Sequence, residues 1–154
     1  MAWSGYTDDY YHGAVYTILA DAKGAQVAGT TSRMTSTDTW TFTEYPSLAA
    51  NPDDGSMLLT FTYSSGSIWG SVFQRLQPVT AGPDPFYPHF EGDDGGSAVA
   101  GSAVWNPSRK EYVVTYVVYP DDRVIVRRTD SSGQVKPAYI VESGPAAGVI
   151  GAAA

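Results

Sequence analysis

The sequence predicts an all-β chain built from repeated four-stranded antiparallel sheets. Three observations lead there: an internal repeat with a 55-residue period, short bursts of apolar and polar residues that alternate with period two, and turn chemistry wherever a burst stops. Residues 48–61 (LAANPDDGSMLLTF) match residues 103–116 (AVWNPSRKEYVVTY), which sets Asn51-Pro52 on Asn106-Pro107 and Thr60-Phe61 on Thr115-Tyr116. A repeat this long marks a supersecondary unit that buries its apolar face by stacking on its copies.

The last copy is the clearest. Ser102 to Trp105 reads as a strand A, closed by Asn106-Pro107, and Glu111 to Tyr119 reads as strand B. Pro120-Asp121-Asp122 turns the chain into strand C, Arg123 to Thr129, and residues 130–133 (DSSG) turn it again into strand D, Gln134 to Glu142. The middle copy repeats the order with Ser47 to Ala50 as A, Met57 to Tyr63 as B and Ile68 to Phe73 as C; its D region, Val79 to Phe90, is crowded with proline and aromatics.

The N-terminal stretch enters the repeat partway through. Tyr6-Thr7-Asp8-Asp9 aligns with Tyr119-Pro120-Asp121-Asp122, and Val15 to Asp21 followed by Lys23-Gly24 aligns with Val124 to Asp130 followed by Ser132-Gly133. Four extra residues, Tyr10 to Gly13, lengthen this first hairpin loop. Met1 to Tyr6 is then a B strand without an A before it, and Pro145 to Ala152 reads as an A strand without a B after it. The chain is a single repeat domain over 1–154, with approximate units 1–45, 46–100 and 101–143 and a closing strand over 145–154.

This strand order, with an Asn-Pro turn between A and B, resembles the blades of β-propellers, including the terminal blade that closes their rings. The resemblance covers most of the chain and implies about three blades, with the two termini sharing one of them. Propellers have about 4–8 blades, so three imply either a longer protein or several chains completing one ring. The family contains lectins in which short chains assemble in this way, which implies a homo-oligomer such as a six-bladed dimer. A β-sandwich or jelly roll of eight to twelve strands gives similar alternation but leaves the 55-residue self-match unexplained.

Composition narrows the function. The 154 residues are 43% hydrophobic and 16% charged, with a net charge of −7. An acidic surface repels phosphate backbones and anionic lipid, so neither nucleic acid nor membrane insertion is expected. There is no cysteine, which removes disulfides and thiolate chemistry together. The composition suggests an extracellular or cell-surface setting, and the first residues have neither the basic nor the apolar region of a signal peptide.

The candidate functional residues sit in the insertions and aromatic positions. Residues 83–90 (PDPFYPHF) lead into residues 91–96 (EGDDGG), the longest irregular stretch, and bring Tyr87, His89, Asp93 and Asp94 together in sequence. The first hairpin loop adds Tyr11 and His12. Trp40 and Trp69 could stack on the C–H face of a sugar, whereas Trp105, just before its Asn-Pro turn, reads as packing. Acid pairs recur at Asp8-Asp9, Asp53-Asp54, Asp93-Asp94 and Asp121-Asp122, and their context favours turn capping over catalysis. Two lone histidines do not make a zinc site, no calcium-loop spacing is present, and no cofactor motif appears.

Three function classes follow. The leading one is a non-enzymatic, lectin-like oligomer that recognises a carbohydrate or a protein surface. The others are a structural protein of a larger particle or filament, motivated by the low charge and the Ala/Gly-rich tail, and a fragment of a secreted glycosidase, motivated by the paired acids.

Overall fold

The computed structural model describes residues 1–6, 13–34, 41–65, 68–76, 89–91, 97–132 and 134–142. Among these, every regular element is a strand, and every strand pairing is antiparallel. The first sheet joins β1 (Ala2–Tyr6), β2 (Gly13–Thr17) and β3 (Ser32–Arg33) in that order. The second joins β4 (Thr41–Ala50), β5 (Met57–Ser65), β6 (Ile68–Leu76) and β7 (His89–Glu91), and the third joins β8 (Ser97–Asn106), β9 (Glu111–Tyr119), β10 (Arg123–Asp130) and β11 (Tyr139–Glu142). Each is a meander in chain order, so the predicted B-C-D, A-B-C-D, A-B-C-D succession is present; the closing strand expected over 145–154 lies outside the described residues.

The repeat holds at the level of individual pairs. Leu48 faces Leu59 as Ala103 faces Val114, and Glu44 faces Thr62 as Val99 faces Val117. The first sheet joins in, with Ser4 opposite Val15 as Val117 is opposite Val124. The A-to-B turns coincide too. The Asn51 carboxamide oxygen accepts the Asp53 N–H at 3.0 Å, the Asn106 oxygen accepts the Ser108 N–H at 3.1 Å, and both turns end in left-handed backbone, Gly55 at φ 73° and Lys110 at φ 52°. The acid pairs within the described residues are turn residues as expected: Asp54 accepts from the Ser56 N–H and hydroxyl, and Asp122 has φ 48°.

The A strands begin earlier than the sequence predicts, at Thr41 and Ser97 rather than Ser47 and Ser102. A bulge explains the difference. The register shifts between Glu44 and Ser47 in β4 and between Ala100 and Ala103 in β8, and beyond it the alternation resumes on the opposite phase. Gly101 permits the second bulge: a Cβ there would lie 2.2 Å from the Thr115 carbonyl oxygen. Strand D of the third unit is shorter than expected, because Pro137 has no N–H to give; one bridge at Val135 precedes β11.

The sheets stack face to face through two seams. Val15 of the first sheet packs with Leu59, Phe61 and Leu76 of the second; Ala49 and Leu58, on the second sheet's other face, pack with Ala103, Trp105, Tyr112, Val114 and Tyr116 of the third. Strand β5 is therefore buried on both faces, with Thr60 and Thr62 fully buried beside Leu58. Each seam sets large side chains of one sheet on small ones of its neighbour. Ser56 Oγ and Tyr112 Oη meet at 3.0 Å across the second seam. Trp105 is 7% exposed and stands edge-on to Tyr112 at 4.8 Å, which is the packing role expected of it.

Candidate ligand-binding rim

The third sheet builds a charged and aromatic cluster at its outer edge. Glu111 starts β9 directly after the A-to-B turn and lies opposite Asp130 on β10. Period-two alternation puts Arg128 on the same face as Asp130. The Asp130 carboxylate then folds the next turn by accepting the N–H groups of Ser132 and Gln134, both at 3.0 Å, which returns the chain along β10 and delivers Lys136 and Tyr139 to that edge.

Glu111 is 1% exposed, and both its oxygens are engaged: Arg128 Nη1 donates to Oε1 at 3.3 Å and Lys136 Nζ to Oε2 at 3.0 Å. Burial pushes the carboxyl pKa up, but the hydrogen bonds from Lys136 and Arg128 and their charges outweigh it and leave the pKa lowered. The bond to Glu111 raises the Arg128 pKa against its desolvation. With one cation on each oxygen and almost no exposure to solvent, this carboxylate serves to anchor the two cations.

One of those cations, Arg128, holds an exposed ring. Arg128 Nη2 donates to Tyr139 Oη at 3.0 Å, and the guanidinium carbon lies 5.3 Å from the ring centroid. Tyr139 is 52% exposed. Ile140, the pair partner of Ile125, lies on the opposite face of β11 from Tyr139 and is 59% exposed, so β11 is open on both faces. An aromatic face beside a fixed guanidinium suits a pyranose ring or a peptide side chain.

Of the residues singled out by sequence, Tyr11, His12, Trp40, Tyr87, Asp93 and Asp94 lie outside the described residues. Trp69 is in β6 opposite Ser64, and His89 is in β7 opposite Phe73, an edge-strand position rather than the loop expected for it; the backbone alone is described for both. They belong to the second sheet, apart in sequence from the rim of the third. Among the described residues no group of three metal-ligating side chains occurs, and no helix is long and apolar enough to cross a membrane.

Sequence reasoning missed Arg128 and Tyr139, whose meeting depends on a β10–β11 register with an irregularity between Val124 and Ile125. It also singled out Trp40 and Trp69 rather than Trp3. Trp3 is 40% exposed and stacks on Tyr16 at 5.6 Å, on the face of the first sheet turned away from the second. No family model, curated protein or solved structure matches the chain.

Proposed function

We propose that this chain is a non-enzymatic binding module of β-propeller-like architecture, a lectin-like homo-oligomer that recognises a carbohydrate or protein surface. The architecture is supported by three separate sheets of one strand order stacked in sequence, where a sandwich has two. The binding role rests on one observation: the half-exposed Tyr139 ring held by Arg128, which shares the buried Glu111 carboxylate with Lys136. Such a preset aromatic and donor array lowers the ordering cost of capturing a sugar ring.

A glycan array followed by calorimetric titration tests the reading. The expected result is a bound glycan whose affinity falls about tenfold or more, roughly 1.4 kcal/mol, in Tyr139→Ala, with Trp40→Ala and Tyr87→Ala reporting on the positions expected from sequence. Absence of any glycan ligand, or an unchanged affinity in Tyr139→Ala, would overturn it.

A further inference from the structure

One cross-strand row has a different chemistry in the first sheet than in the other two. Trp3 on β1 pairs with Tyr16 on β2, and Tyr16 pairs with Arg33 on β3, so all three stand on the face turned away from the second sheet. By the register that sets Ser4 on Val117, the same row of the third sheet is Tyr116, Ile125 and Ile140, and that of the second is Phe61, Val72 and Phe90. Those rows are apolar, and Tyr116 and Ile125 are buried in the seam. In the first sheet two aromatics and a guanidinium take their places.

The row itself reaches solvent. Trp3 is 40% exposed and Tyr16 and Arg33 are partly exposed, whereas Ala14, next along the same face, is fully buried, so the opening is local to the row. The Trp3 and Tyr16 rings stack at 5.6 Å and 19°, and Gly5 leaves the Tyr16 ring room: a Cβ at Gly5 would touch Tyr16 Cε2 at 3.8 Å. The stack is a preset aromatic platform. Arg33 Nε is buried without a hydrogen-bond partner, and among the described residues no carboxylate pairs with this side chain. Arg128 is the contrast, since Glu111 meets its charge. A guanidinium that has lost part of its hydration and gained no anion is stabilised by a carboxylate brought to it, best through two parallel N–H bonds.

We propose that Trp3, Tyr16 and Arg33 form a second ligand site, selective for a sugar that bears a carboxylate. The C–H face of the pyranose seats on the aromatic platform, and the carboxylate meets Arg33. Two strand spacings separate β1 from β3, about 10 Å, which is room for a disaccharide. The net charge of −7 sets the charge class. It repels a polyanion, whether nucleic acid or a densely sulfated chain, while a single carboxylate answers to the guanidinium beside it. The site lies on the first sheet and the Tyr139 rim on the third, so it goes beyond the reading above and does not rest on the rim.

Calorimetric titration of the full chain tests the site with two acidic probes and their neutral counterparts: cellobiouronic acid beside cellobiose, and sialyllactose beside lactose. At least one acidic probe is expected to bind about tenfold or more tightly than its counterpart. Arg33→Met keeps an unbranched stem and removes the charge, so it is expected to abolish that preference. Trp3→Ala is expected to weaken the acidic probe by about tenfold, and Tyr139→Ala to leave it unchanged. Without ligand, Arg33→Met is expected to unfold at no lower temperature than the wild type, because the guanidinium has no described partner to lose. Equal or absent binding of acidic and neutral probes, a preference that survives Arg33→Met, one lost in Tyr139→Ala instead, or a lowered unfolding temperature in Arg33→Met would each overturn the proposal. The rim is read by Tyr139→Ala and this site by Arg33→Met, so either reading can fail while the other stands.

Discussion

Asp21 and Asp130 stand 109 positions apart and fold the same turn. Asp21 accepts the N–H groups of Lys23 and Ala25 at 2.8 and 2.9 Å; Asp130 accepts those of Ser132 and Gln134, each at 3.0 Å. The bridges that follow, Ala20 with Gln26 and Thr129 with Val135, keep the same spacing. Two sheets that differ in strand number thus share one C-to-D turn, which ties the first unit to the third more firmly than their modest sequence likeness does.

Replacing either aspartate with alanine removes the acceptor for two backbone donors. Each substitution is expected to cost about 1 kcal/mol, and the pair to be additive because the turns belong to different sheets. Urea unfolding of the single and double variants checks both points.

Lys110 occupies a backbone conformation that its repeat partner assigns to glycine. With φ at 52° it carries strain that a side chain ordinarily avoids. Its contact with Asp53, 3.8 Å apart with both side chains more than half exposed, offsets little of that. Lys110→Gly is expected to raise stability by up to about 1 kcal/mol and Gly55→Ala to lower it by about that amount, read from the denaturation midpoint.

Gly101 has no such freedom. A methyl group at this position would run into the Thr115 carbonyl oxygen, which is backbone and cannot swing aside. Gly101→Ala is expected to destabilise by about 1–3 kcal/mol or more and to perturb the bulge in β8. Hydrogen exchange at Ser102 and Thr115 would report the change.

The Glu111 cluster sets a pH dependence. Its folded-state pKa is lowered from the ordinary glutamate range, so the unfolded chain binds the proton more readily. The stabilisation is full above the unfolded pKa and is lost as pH falls through the folded one. Asp130, lowered by its Ser132 and Gln134 bonds against the opposing effect of burial, acts in the same sense. Thermal unfolding of the wild type is expected to weaken below about pH 4.5, and Glu111→Gln to flatten part of that slope while costing roughly 1–3 kcal/mol at neutral pH.

Much of the architecture was legible from residues 48–61 and 103–116, because alternation, Asn-Pro turns and a fixed period are local properties of the chain. The registers follow from them: once Thr60 is set on Thr115, the A and B strands of the second and third sheets pair alike. The bulges escaped notice, since Tyr45-Pro46 and Gly101-Ser102 resemble turn or boundary residues and reveal their role only against a partner strand. The rim escaped for a related reason. Arg128 and Tyr139 are 11 residues apart and meet through a turn, a proline interruption and an irregular register. The exposure of Trp3 was hidden because the sequence marks it as an aromatic of a repeat position without revealing that its sheet stands at the end of the stack.

The account turns on a ring that more than one chain completes, and the solution mass of the wild-type chain tests that most directly. Sedimentation equilibrium over a wide concentration range is expected to return a closed multiple of 16.4 kDa, twice that value for a six-sheet ring. A species that stays at 16.4 kDa up to millimolar concentration would contradict it.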